Sequence, residues 1–153
     1  MEPEKVIREH RRWTRWLESQ TIAREGNLVL TNRRLLYLNR IAPDEAVSAN
    51  IKKLADSPME TVLNYAFTLN QKNFQIPLSE IRRIGVGIFT LYPYPRFCLT
   101  VSYLPNSRSK QKTVAFQFRD VTSKSIFKLQ LAEDYRWAKA IKQAILVYHK
   151  PSR

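Results

Sequence analysis

The sequence predicts a mainly β chain of the α+β class: antiparallel strands closed by one C-terminal helix, with a helical insertion at 43–70. Three observations predict it. Residues 26–38, Gly-Asn-Leu-Val-Leu-Thr-Asn-Arg-Arg-Leu-Leu-Tyr-Leu, hold two short apolar runs joined by a polar tetrapeptide. That is the pattern of a strand pair, and Asn32 is one of the few residues besides glycine suited to its turn. Phe97, Leu99, Val101 and Tyr103 alternate, as do Val114, Phe116 and Phe118, with a polar turn between them. From Ala132 to Tyr148 the apolar period lengthens to that of a helix, with Trp137, Ile141 and Ile145 in one row and Ala138, Ala144 and Tyr148 beside it.

The remaining elements follow in chain order. Residues 4–17 fit two patterns. Val6, His10, Trp13 and Leu17 fall at helical spacing, with acids ahead of Arg11, Arg12 and Arg15, as a helix dipole favours. Ile7, Arg11, Trp13 and Leu17 opposite Val6, Thr14 and Trp16 equally fit the two faces of a strand. The tryptophans are expected to pack on the core rather than to form a basic aromatic patch with the arginines.

Arg40-Ile41-Ala42-Pro43 ends the hairpin, and Val47, Ile51, Leu54 and Ala55 mark a helix within 44–56. Ser57-Pro58-Met59-Glu60 then gives an N-cap, a proline at N1 and a glutamate at N3, the elements of a capping box. Met59, Val62, Leu63 and Ala66 are the expected buried stripe of that second helix, which would lie on a sheet.

Phe74, Ile76 and Leu78 alternate, and Pro77 restricts that strand to an edge or a bulge. Ile81, Ile84, Val86 and Ile88 continue as a further strand in which Gly85 and Gly87 mark a bend or a close backbone approach. A phosphate cradle would need a third glycine and a following Lys-Ser or Lys-Thr, and neither is there. Pro93 and Pro95 predict an irregular connection over 91–96 that carries Tyr92, Tyr94 and Arg96. Residues 105–112, with Arg108, Lys110 and Lys112, read as a polar basic turn, and Ile126, Phe127, Leu129 and Leu131 as one more short strand. Glu133 and Asp134 open the last helix, Lys139 and Lys142 follow, and Pro151 lies beyond its end.

At 153 residues the chain predicts a single domain, 1–153, large enough for a core. A hydrophobic content of 44% with 11% aromatics argues against disorder. No apolar run approaches the roughly 20 residues that span a bilayer, and Met1-Glu2-Pro3-Glu4 is acidic where a signal peptide is basic, then apolar. A cytoplasmic protein, able to sit peripherally on a membrane, is the expectation. Cys98 lies among apolar residues and predicts a buried thiol; His10 and His149 stand at opposite ends of the chain, so neither a zinc set nor a Cys-His pair assembles. No cofactor is expected. Twenty-six Lys and Arg against 13 Asp and Glu give a net charge of +13, which favours polyanionic partners.

The chain resembles the pleckstrin-homology (PH) superfold, and within it the GRAM and bacterial PH-like branch. Three segments carry the resemblance. Residues 26–38 match Gly-x-Leu-x-Leu-Thr-Asn-x-Arg-Leu-x-Tyr, Ile76-Pro77-Leu78-Ser79-Glu80-Ile81 matches an Ile-Pro-Leu-x-x-Ile step, and 129–141 match the closing helix with its tryptophan. The match covers 5–41 and 74–147 and leaves 43–70 outside it. It implies an antiparallel barrel or sandwich of about seven strands capped by the last helix, and it makes 6–17 the first strand. The basic Lys-x-Lys/Arg motif of phosphoinositide-binding members has no counterpart at Glu18-Ser19-Gln20-Thr21, with Arg24 alone after it.

The resemblance implies a non-catalytic module that docks on a protein partner or on anionic lipid headgroups. Tyr92, Tyr94 and Arg96 on one loop, with Arg108, Lys110 and Lys112 on the next, are the expected contact residues: tyrosine suits an interface and the bases attract phosphate. Nucleic acid is the alternative partner, with Trp13, Trp16 or Tyr94 stacking on bases. An enzyme has least support, since no catalytic triad, carboxylate pair or metal cluster can be assembled.

Overall fold

The computed structural model describes residues 2–41, 44–105, 110–118 and 126–150, with backbone only at 11–13, 91, 94 and 126–130. Seven strands form one antiparallel sheet: β1 (Val6–Leu17), β2 (Ala23–Thr31), β3 (Arg34–Asn39), β4 (Phe74–Pro77), β5 (Ile81–Leu91), β6 (Tyr94–Tyr103) and β7 (Lys112–Phe118). Helices α1 (Glu45–Lys53) and α2 (Met59–Thr68) lie between β3 and β4, and α3 (Ile126–Tyr148) closes the chain. The strand order is β4-β3-β2-β1-β7-β6-β5.

That order forces the sheet to curl. β4 and β5 are its two edges, yet only the 3₁₀ turn Leu78–Glu80 separates them in sequence. Seven flat strands would be about 29 Å across, at about 4.8 Å per spacing. Three linking residues reach only about 10–14 Å. The edges must therefore approach each other at one end, giving a half-barrel. Its concave face carries Leu28, Leu30, Leu35, Tyr37, Ile76, Leu99, Val101, Phe116 and Phe118, and α3 fills it with Trp137, Ala138, Ile141 and Ala144. Trp137 is fully buried, as its central place in the helical row predicts.

The hairpin at 26–38 forms β2 and β3, paired from Gly26↔Asn39 to Leu30↔Leu35. Its tetrapeptide is a clamp. The Thr31 hydroxyl accepts from the Arg33 and Arg34 amides and donates to Glu4. Asn32 Oδ1 accepts from the Lys5 amide at 2.9 Å. Arg34 forks the buried Glu4 carboxylate, Nε to Oε1 at 2.8 Å and Nη2 to Oε2 at 3.0 Å, and reaches Asn64 of α2 and Gln75 of β4. Burial opposes ionisation of Glu4, but hydrogen bonds from Arg34 and Thr31 outweigh it and hold the carboxyl below its ordinary value.

Several sequence expectations are corrected. Residues 91–96 are not an irregular connection: β5 and β6 pair to Leu91↔Tyr94, leaving the cis-linked Tyr92-Pro93 as a two-residue turn. Among the described residues β7 pairs β6 only from Leu99 onward, which leaves Pro95 outside that ladder. Ser57 does not cap α2. The helix begins at Met59 after Pro58, with no side-chain cap, so the capping box is absent. Asp44 is the working cap, accepting from the Ala46 and Val47 amides of α1.

The helix expected within 44–56 is α1, but it has no buried residue, and Ile51 is exposed. On α2 the buried residue is Leu63, packed with Phe67 against Val29 and Leu36 on the convex face. Ile126–Leu131 is the start of α3, not a strand. Leu78 lies in the 3₁₀ turn rather than in β4. Gly85 and Gly87 sit within regular pairing to Thr100 and Cys98.

Residues 6–17 form a strand, as the resemblance implies, with register shifts between Val6 and Arg8 and between His10 and Thr14. The first shift, of one residue, moves the following side chains to the other face, and the second adds two more residues to β1, so neither local pattern fitted throughout. Trp16 packs against Tyr37 and Phe74 in the core. The Trp13 side chain lies outside the described residues.

Candidate functional site

The sheet register gathers bases at one end. β6 ends at Tyr103, which stands between Ile81 of β5 and Lys112 of β7. A register shift between Ile81 and Arg83 inserts Arg82, so Ile81 stays buried while both arginines are exposed. Two strand spacings away, about 10 Å, Lys112 is exposed at the start of β7, with exposed Lys110 before it. Glu80 is the acid at this end, where its carbonyl accepts from the Leu104 amide at 2.9 Å.

Of the predicted contact residues, Lys110 and Lys112 belong to this group, and Arg108 lies outside the described residues. Arg82 and Arg83 went unnoticed in the sequence. Adjacent strand residues ordinarily face opposite ways, and only the bulge turns both outward.

Many of the acids are engaged elsewhere. Glu4 pairs with Arg34, Glu18 with Arg24 and Lys72, Glu25 with Arg15 and Arg40, Glu60 with Arg33, and Glu133 with Arg8 and Arg136.

The tyrosine turn leaves the opposite end of β6, so adjacency in sequence does not make it one rim with the basic turn. It meets the β1–β2 loop, where the Tyr92 amide donates to the Gln20 carbonyl at 2.7 Å. Phe89, on the arriving hairpin, packs with Leu17, Ala23, Cys98 and Ala115. Tyr92 is 77% exposed at the tip, and Ile22 is exposed on the loop it meets. Arg96 is half-buried on β6, opposite Phe89. The Tyr94 side chain lies outside the described residues.

Cys98 is fully buried, and burial, with the Asp134 charge adding to it, pushes its thiol up to about 11. The Asp134 carboxyl is buried on α3 and neither oxygen accepts a hydrogen bond; burial, then the neighbouring Glu133, raises it to about 7. Among the described residues no group of three His, Cys, Asp or Glu is placed to hold a metal. No helix among them is long and apolar enough to cross a membrane. No family model matches the chain, and no curated protein matches its sequence.

Proposed function

We propose that this chain is a non-catalytic binding module of the PH/GRAM-like kind and that it docks on an anionic membrane surface. The observation that carries the reading is the end of β5, β6 and β7, where the register sets exposed Arg82, Arg83, Lys110 and Lys112 together. The architecture supports the family part: a curled antiparallel sheet whose concave face is filled by a C-terminal helix through a buried tryptophan.

Each basic residue near an anionic leaflet contributes about 1 kcal/mol. Four give roughly 4 kcal/mol, a millimolar affinity. Docking is accordingly weak, reversible and sensitive to salt. Tyr92 at the β5–β6 turn and Ile22 on the β1–β2 loop, both exposed, supply a second contact of the amphipathic kind that suits a headgroup layer.

Sedimentation with phosphatidylcholine vesicles, with and without phosphatidylserine, over a salt series tests the reading. The chain should pellet only with the anionic vesicles, and combined Arg83→Ala, Lys110→Ala and Lys112→Ala should abolish pelleting at lower salt than the parent chain needs. A chain that ignores anionic vesicles but retards duplex or single-stranded nucleic acid would favour the nucleic-acid reading. Its stacking residue could not be Trp16, which is packed in the core.

A further inference from the structure

We infer that two copies of this chain associate through β5, antiparallel and centred on Val86, so that the two sheets become one. β5 is the last strand in the sheet order, and its ladder partners in the described residues all lie on β6. Gly85 O and Gly87 O accept from Thr100 Oγ1 and Cys98 Sγ of β6, at 3.2 and 3.6 Å. Successive strand residues turn their polar backbone groups to alternate sides. Ile84, Val86 and Ile88 therefore present their N–H and C=O groups at the open edge. Among the described residues that edge is unpaired, and β5 is 11 residues long, which makes it a template for another strand. The sheet's other edge, β4, has four residues and ends in a proline, which blunts it.

The edge sequence complements itself. Ile84-Gly85-Val86-Gly87-Ile88 reads the same in both directions about Val86. Antiparallel pairing there sets Val86 opposite Val86 of the partner subunit, Gly85 opposite Gly87 of the partner subunit, and Ile84 opposite Ile88 of the partner subunit. Ile88, 68% exposed in the single chain, gains an apolar neighbour.

The glycines point the same way. A Cβ built on Gly85 or Gly87 would meet Thr100 at an ordinary 3.6 or 3.5 Å, and neither glycine has a positive φ. Among the described residues nothing within one chain asks for glycine there, whereas bare backbone suits the close approach of a second strand.

Charge selects the orientation. In the antiparallel register Arg82 faces Thr90 of the partner subunit and Arg83 faces Phe89 of the partner subunit, so the guanidinium groups stand at the two far ends. Parallel, in-register pairing would set each arginine against its own copy, which is unfavourable. In a chain of net charge +13 that difference decides.

Sedimentation equilibrium of the full chain, with thiol crosslinking by a short bismaleimide, tests the inference. The chain should sediment at twice 18.0 kDa at micromolar concentration. Val86→Cys should crosslink to itself, and Ile84→Cys mixed with Ile88→Cys should crosslink to each other more than either does alone. Cys98 gives little background, being buried with a raised thiol pKa. Ile88→Lys, at an exposed position, should sediment as a monomer with an unchanged circular dichroism spectrum. A monomeric parent chain up to its solubility limit overturns the inference. So does a dimer in which neither Val86→Cys nor the mixed pair crosslinks. Vesicle binding is a separate readout, so failure of either proposal is recognisable on its own.

Discussion

Trp137 stacks on Phe118 with ring centroids 5.3 Å apart and planes 9° from parallel, while the Arg8 guanidinium lies 5.4 Å from the indole centroid. Three separate parts of the chain, β1, β7 and α3, meet at this one side chain. Trp137→Ala removes a fully buried ring and should lower stability by about 3–5 kcal/mol, read from urea unfolding. A loss below about 1 kcal/mol would mean that α3 is not what closes the sheet.

The Glu4–Arg34 pair ties the N-terminal arm to the hairpin turn. Its carboxylate is almost wholly buried, so removing the cation strands a charge. Arg34→Ala should cost about 3–5 kcal/mol at pH 7. The pH dependence follows from the direction of the shift. The folded-state value of Glu4 lies below the ordinary 4.5, so its contribution is fully present above that pH and is lost as pH falls through the folded value. Acid unfolding of the parent chain should therefore include a component that Glu4→Gln removes.

Asp134 works in the opposite sense. Its folded value, about 7, lies above the ordinary 3.8, so the folded protein holds a proton that the unfolded chain releases. Below pH 3.8 both states are protonated and no penalty arises. Stability should fall as pH rises from about 4 to about 7, by about 1.4 kcal/mol for each tenfold difference in proton affinity, and then level off. Asp134→Asn should flatten that window and leave the variant more stable than its parent at pH 8. Equal slopes in the two proteins would show that the carboxyl is hydrated.

Gly26 is required where Gly85 is not. A Cβ on Gly26 would stand 2.3 Å from the Leu38 carbonyl oxygen and 3.0 Å from Asn39 Cα, both backbone atoms that cannot turn aside. Gly26→Ala should destabilise by at least about 1–3 kcal/mol. Gly85→Ala, studied at concentrations where the chain is a monomer, should stay within about 1 kcal/mol of the parent. Thermal unfolding of the two variants side by side checks the contrast.

Local sequence settled the elements whose chemistry is contained within a few residues. Residues 26–38 form a hairpin because two runs of strand formers flank a polar turn, and Trp137, Ile141 and Ala144 fill one side of a helix by period alone. Lys110 and Lys112 were legible as turn bases for the same reason. Tertiary structure decided what depends on a neighbour. Residues 6–17 are a strand because β2 and β7 satisfy the backbone on both sides, through register shifts that defeat a simple alternation. The β5–β6 hairpin is regular although Pro93 is in its turn and Pro95 follows, because β5 pairs β6 up to Leu91↔Tyr94 while the described β6–β7 pairs begin only at Leu99. Ser57 was a good cap by composition, but the backbone enters α2 one residue later. Arg82 and Arg83 became a surface beside Lys112 only through a bulge and two strand pairings, relations between residues some thirty positions apart that no local pattern encodes.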